Sequence, residues 1–322
     1  MMTIRGLTSG LARGRAVGFE ELGRTTSPGV YPRRLDRRTR PRPTLHFRRL
    51  ELKYFLPERF LTHFLDRASP WTETDPFLVH EGTGRVSYPV TSLYFDSYDL
   101  QAFDEKENGQ LFRRKVRLRT YEETFSEQVP SFLEIKRRLD AVVVKDRLTI
   151  PSGTLNDSVP MSGLLRHLLQ HADGDDRIRN EAHMLTGWLN LQSTAIVRYQ
   201  RYALVSRADP NVRVTIDMGL EGLWRPAYIL GELMLRSIGN VNATGMNGIS
   251  GCYGMLEIKC NRAVPGWFHR LVQDLELMRT AYSKYFLVVS ALRPHVFEDC
   301  HSRFDSAGGV RCHRPQAPSP QF

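Results

Sequence analysis

Long apolar runs are missing from this 322-residue chain, and no stretch reaches the roughly 18–20 residues that a bilayer-crossing helix needs. The opening residues lack the apolar core of a secretory signal. Cysteine is scarce: Cys252, Cys260, Cys300 and Cys312 make no disulfide framework for a chain of this length, which suits a reducing compartment, with cytoplasm as the default. Cys300-His301 and Cys312-His313 lack the spacing of a common structural zinc site. No Gly-rich loop ends in Gly-Lys-Ser/Thr, so a P-loop nucleotide site is excluded. No serine sits in a nucleophile elbow. Aromatics rarely accompany the basic residues, which argues against a single-stranded nucleic acid as partner.

What the chain has is basic charge, unevenly placed. The formal net charge is +10, yet residues 1–45 hold ten Arg, no Lys and only Glu20, Glu21 and Asp36, for +7. The other 277 residues carry about +3, so any basic site there must come from local sorting of charges. Residues 1–45, rich in Arg, Gly, Ser, Thr and Pro without apolar periodicity, read as a disordered extension, and residues 294–322 as a second tail.

The sorting is clearest at residues 111–121, LFRRKVRLRTY. Read as a strand, period-2 alternation puts Lys115, Arg117 and Arg119 on one face, with Val116 and Leu118 on the other. Other segments alternate in the same way. Residues 46–55 separate Leu50, Leu52 and Tyr54 from Glu51, Lys53 and Phe55. Residues 131–139 put Glu134, Lys136 and Arg138 together, and residues 141–150 group Val143, Lys145 and Arg147. Tyr199 and Arg201 share a face in residues 197–205, as do Arg213, Thr215 and Asp217 in 212–217, and Glu257 and Lys259 in 255–260. Residues 88–96 read as a further strand, and Ser97–Asn108 as a polar connection. Helical spacing marks Phe60, Leu61, Phe64 and Leu65, residues 160–172 and 178–191, and one last element from Pro265 to Leu292.

One wet face is routine for an antiparallel sheet, so a single strand says little. The repeated Glu-x-Lys pairs say more: Glu51/Lys53, Glu134/Lys136 and Glu257/Lys259. Acid and base on one face suit a site that holds phosphate beside a hard divalent cation. A closed barrel with these faces inward would concentrate the charge in a tunnel.

SLYFDS (92–97), the Arg-x-Arg strand, the two LEIK segments (133–136 and 256–259) and the YSKY segment resemble, in order and spacing, the triphosphate tunnel metalloenzymes. Within them the chain is most similar to the VTC domain, the catalytic domain of the vacuolar transporter chaperone polyphosphate polymerase, over residues 46–293. The resemblance implies an α+β fold: a closed antiparallel eight-stranded β-barrel with helices packed outside and a basic lumen. It implies ATP and polyphosphate as partners and Mn²⁺ or Mg²⁺ as cofactor.

Carried over residue by residue, Lys53 resembles the first-strand phosphate lysine, and Arg117 and Arg119 the pair that grips the nucleotide phosphates. Lys136 and Lys145 resemble the next basic pair. Tyr199, Arg201 and Arg213 continue the lining. Glu257 resembles the metal-binding glutamate, with Lys259 beside it for substrate. Ser283 and Lys284 resemble the pair near the tunnel end. Glu134 fits a salt bridge or a metal role, Asp217 can orient Arg213, and Tyr199 can be a packed aromatic with its hydroxyl bonded. One position departs from the triphosphatases of the superfamily, which begin Glu-x-Glu-x-Lys: Arg49 stands where the first glutamate would. Losing a carboxylate favours a phosphate grip over a metal grip, hence a polymerase over a hydrolase. A triphosphatase and a non-catalytic polyphosphate-binding module are the alternatives.

Overall fold

The computed structural model describes residues 50–75, 86–139, 142–238, 252–261, 263–281 and 283–293. The basic extension, Arg49, the Gly- and Asn-rich stretch 239–251, Tyr282, Cys300, Cys312 and the 294–322 tail lie outside the described residues.

Ten strands form one antiparallel sheet: β1 (Leu50–Pro57), β2 (Thr72–Thr74), β3 (Tyr88–Asp96), β4 (Phe112–Thr120), β5 (Ser131–Leu139), β6 (Val142–Ile150), β7 (Gln192–Ser206), β8 (Arg213–Trp224), β9 (Arg236–Ser237) and β10 (Tyr253–Cys260). The helices are α1 (Leu61–Ala68), α2 (Gln101–Glu107), α3 (Leu164–His171), α4 (Asp176–Leu189), α5 (Gly266–Asp274) and α6 (Lys284–Leu292). The strand order is β1-β10-β8-β7-β3-β4-β5-β6, with the short β2 and β9 added at β7 and β8.

The expectation of a closed eight-stranded barrel is therefore corrected in two ways. The sheet has ten strands, and among the described residues no ladder joins β1 to β6, so it is open. It is nevertheless strongly curled. Glu51 on β1 interacts electrostatically with Lys136 on β5 and Lys145 on β6, residues at the far end of the strand order. Twist brings the two edges face to face. Closure is prevented at β1 because residues 278–280 take part of its outer edge: the Phe55 amide donates to the Met278 carbonyl at 3.0 Å and the Thr280 amide to the Lys53 carbonyl at 2.9 Å.

Two apolar cores lie on the convex side. One packs α3 and α4 under β3 to β7, through Leu118, Leu133, Ile135, Leu148, Leu164 and Leu168. The other packs α1 and α5 under β1, β8 and β10, through Leu56, Phe64, Ile216, Leu256, Ile258 and Phe268. Both follow from the alternation in the sequence, because the residues opposite the charged positions are the ones buried.

A third core occupies the concave side, against the expectation that all helices pack outside. Tyr285, Phe286, Val288 and Val289 of α6 pack on Val90, Tyr94, Ala195, Val197 and Tyr199, with Leu100 and Phe103 from the α2 region. Gly222 on β8 permits the approach, since a Cβ there would stand 2.4 Å from a methyl of Val288. Asp96 fixes α2 by accepting the backbone amides of Ala102 (2.8 Å) and Phe103 (3.1 Å). The polar connection expected at Ser97–Asn108 thus contains a helix, and the single last element is two, α5 and α6. Ser283 caps α6 by accepting the Phe286 amide at 3.2 Å.

Candidate functional site

Register aligns the charged positions across strands. Lys53 on β1 faces Glu257 on β10, and Glu51 faces Lys259. Glu257 stands opposite Thr215 on β8, and Lys259 opposite Arg213. Arg201 on β7 pairs with Asp217 on β8. On the other side Arg117 on β4 faces Glu134 on β5 and Tyr94 on β3. Lys115, Lys136 and Lys145 form one in-register row across β4, β5 and β6.

Two clusters of cations are each built around one carboxylate. Glu134 accepts from Arg117 Nε at 2.8 Å and Nη2 at 2.6 Å, and from Arg147 Nε at 3.1 Å; Arg119 Nη1 lies 3.6 Å away. Burial raises the Glu134 carboxyl, but Arg117, Arg119 and Arg147 outweigh it and hold it well below the usual carboxylate range. Arg117 also donates to the Tyr94 hydroxyl at 3.1 Å, and Arg119 to Ser92 Oγ at 3.1 Å. The metal role weighed for Glu134 gives way here to a salt bridge.

In the second cluster Asp217 accepts from Arg201 at 2.6 and 2.8 Å and from Lys284 at 2.5 Å. Burial pushes this carboxyl up, and the Arg201 and Lys284 cations outweigh it, leaving it at about 2. Asp217 does not orient Arg213, which sits exposed at the rim and pairs with Asp75 at 3.0 Å. Tyr199 is buried, its hydroxyl accepting from Arg201 at 3.2 Å, and its ring lies 4.7 Å under the Lys284 ammonium.

The lysine row is different. Lys115 donates to Ser283 Oγ at 3.0 Å and sits over the Tyr285 ring. Among the described residues Lys115, Lys136 and Lys145 form no ion pair. Burial, then the neighbouring Lys136 and Lys53, push the Lys115 ammonium down to about 7. Burial, then Lys259 and Lys136, do the same to Lys145, also to about 7. Lys136 is lowered too, by burial first, with Glu51 opposing and Lys53 reinforcing. Like charges directly opposite one another in a ladder destabilise it. An arrangement of this kind is relieved by a bound anion.

Between the lysines lies a carboxylate pair. Glu257 is buried, and Lys53 Nζ lies 3.7 Å from it and 3.3 Å from Glu51. Lys259 also pairs with Glu257. Burial raises the Glu257 carboxyl, while Lys259, Lys53 and Lys284 hold it well below its ordinary value. Burial and then the Glu257 charge push the Glu51 carboxyl up, but Lys136, Lys53 and Lys259 outweigh them and leave it below its ordinary value. Thr215 Oγ1, directly opposite Glu257, is buried without a hydrogen-bond partner. Among the described residues no group of three or more His, Cys, Asp or Glu could hold a metal ion by itself. Two carboxylates and an orphaned hydroxyl oxygen do fit a hard divalent cation that takes its remaining oxygens from phosphate and water, the usual way Mg²⁺ is held.

The structure thus gathers Lys53, Arg117, Arg119, Lys136, Lys145, Tyr199, Arg201, Glu257, Lys259, Ser283 and Lys284 around one concavity and leaves Arg213 at its edge. It adds residues that the resemblance did not carry over individually: Lys115, Glu51, Tyr94 and Thr215. Lys115, Glu51 and Thr215 were visible on charged strand faces. Tyr94 carried no signal, because its role depends on which strand lies beside β4.

A basic, curled antiparallel sheet with a paired-carboxylate site on its concave face is the kind of molecule that the resemblance to triphosphate tunnel metalloenzymes led one to expect. The VTC domain family matches residues 48–293, and the chain belongs to that family. No curated protein matches it in sequence. Its similarities among solved structures are distant. A protein from Bacillus halodurans, described provisionally as an adenylate cyclase, has 11% identity and a TM-score of 0.38, covering 72% of this chain and 92% of its own. An adenylyl cyclase candidate from Hippeastrum, described as having a dominant triphosphatase activity, has 14% identity and a TM-score of 0.41, covering 74% and 94%.

Proposed function

We propose that this protein is a metal-dependent polyphosphate polymerase that transfers the ATP γ-phosphoryl group to a growing polyphosphate chain. The observation that carries the reading is the in-register row of Lys115, Lys136 and Lys145, which forms no ion pair among the described residues and which faces the Glu51/Glu257 pair. Cations that stay unneutralised on a concave surface suit a dense polyanion, and membership of the VTC family makes polyphosphate the favoured one.

The reaction needs positioning and charge neutralisation more than covalent chemistry. A terminal oxygen of the acceptor chain attacks the γ-phosphorus, the bond from γ-phosphorus to the β–γ bridging oxygen breaks, and ADP leaves with that oxygen. Arg117 and Arg119 hold donor phosphates, and Glu134 and Tyr94 keep the guanidiniums aimed. Lys136, Lys145 and Lys53 offset charge on the transferring group and the acceptor. Arg201 and Lys284, fixed by Asp217, present cations from the opposite wall. Glu257 and Glu51, with Thr215, would hold Mg²⁺ or Mn²⁺, which when bound neutralises phosphate charge.

A triphosphatase is the second reading. Lys115 and Lys145, held to about 7, are of the strength that accepts a proton from water near neutral pH. The test incubates the purified protein with ATP and Mn²⁺, stains a gel for polyphosphate and assays free phosphate. A polymer ladder lost in Arg117→Ala supports the polymerase. Free phosphate without a ladder replaces it with the triphosphatase, and neither product with salt-sensitive polyphosphate binding leaves a binding module.

A further inference from the structure

The cationic surface is longer than a triphosphate needs. Along β4 the inward positions are Arg119, Arg117, Lys115 and Arg113, a track of roughly 20 Å at about 3.3 Å per residue. Arg119 and Arg117 are committed to Glu134, Tyr94 and Ser92. Beyond Lys115 the track continues to the surface. Arg113 is the register partner of Arg138 on β5, on the same face as Lys115 and Lys136. Lys106, near the end of α2, interacts with both arginines and with Lys53.

The links are continuous. Lys145 acts on Lys136, Lys136 and Lys53 act on Lys115, and Lys115 is in reach of Lys106. Among the described residues neither Lys106 nor Arg113 forms an ion pair. The acid nearest Arg113 is Glu105, which is buried and occupied: it accepts the Arg114 amide at 3.2 Å and the Gln101 side chain at 3.4 Å. The repulsion between Lys106 and Arg113 at the mouth of a basic lumen costs stability when the lumen is empty. It is relieved by a polyanion that runs out of the lumen past α2.

We propose that Lys106 and Arg113, with Arg138 across the β4–β5 ladder, form an extension subsite that holds phosphates of a linear polyphosphate chain beyond the unit gripped in the lumen. The nature of the chain rests on the polyphosphate reading above; the position of the subsite rests on the geometry. It makes the protein select for long chains over short ones.

The test uses the full chain and the double variant Lys106→Ala/Arg113→Ala, with dissociation constants measured for tripolyphosphate and for long-chain polyphosphate at two salt concentrations. The expected result is a loss of about tenfold or more for the long chain with tripolyphosphate changed by less than about twofold, and a flatter salt dependence for the long chain alone. Lys106→Arg/Arg113→Lys restores the long-chain affinity. Equal loss for both ligands, or no loss for either, overturns the subsite. Should the double variant unfold, the single variants Lys106→Gln and Arg113→Gln read the same ratio. A wild-type protein that makes no polymer from ATP would defeat the polymerase reading, and the ratio of the two affinities would still decide this one.

Discussion

The two walls of the concavity treat charge in opposite ways. Around β7, β8 and the β4–β6 arginines, the cations share carboxylates: Asp217 holds Arg201 and Lys284, and Glu134 holds Arg117 and Arg147. Across β4, β5 and β6 the lysine row forms no ion pair among the described residues. The paired cations are held in place without ligand, so they meet phosphate already aimed. The lysine wall is completed only by what it binds. Arginine's planar fork suits the first task, and lysine, a compact charge whose titration shifts readily on burial, suits the second.

The largest effect expected follows from breaking the paired wall. Asp217→Ala leaves Arg201 and Lys284 buried without a counter-charge and should cost about 3–5 kcal/mol in denaturant unfolding, with activity lost. Lys136→Met is the matching change on the other wall. It removes a repulsive charge, so stability should hold or rise by up to about 1 kcal/mol, while polyphosphate affinity measured by calorimetry falls at least tenfold. A stability loss for Lys136→Met as large as that for Asp217→Ala would erase the contrast.

Titration should separate the walls as well. Asp217 is lowered to about 2, so its contribution is present above the ordinary carboxylate range and is lost as pH falls from about 4 through 2. Lys115 and Lys145 run the other way, because their folded values lie at about 7, below the unfolded value. Between about pH 7 and 10 the unfolded chain binds more protons than the folded one at these sites, so their contribution to ligand-free stability rises with pH. Over the same range the ammonium groups lose charge, and polyphosphate affinity should fall. Unfolding and binding measured from pH 6 to 9 should therefore move in opposite directions. The smallest effect is expected at Arg213→Ala, an exposed rim pair: no more than about 0.5 kcal/mol in stability and a few-fold in affinity.

Much of the frame was legible in the chain. The alternation at Val116/Leu118 against Arg117/Arg119 placed β4, its buried face and its charged face, and the same pattern located β1, β5, β6 and β10 closely. Helix α2 was not legible, because its start is set by Asp96 and its packing by Phe103 against Phe286, a contact across most of the chain. The break between α5 and α6 was hidden by an apolar stripe that continues through both. Arg213 could not be told from Arg201, since each is a cation on the lining face that its strand's alternation marks; only the register shows that Asp217 faces Arg201.

The sequence by itself determined which faces are charged, which are apolar, and that acid and base recur two residues apart, since a period of two is a local property of the strand. The tertiary structure decided which cations are neutralised and which wait for an anion. Pairing depends on register between strands far apart in the chain and on how far the sheet curls, and neither is written in any single segment.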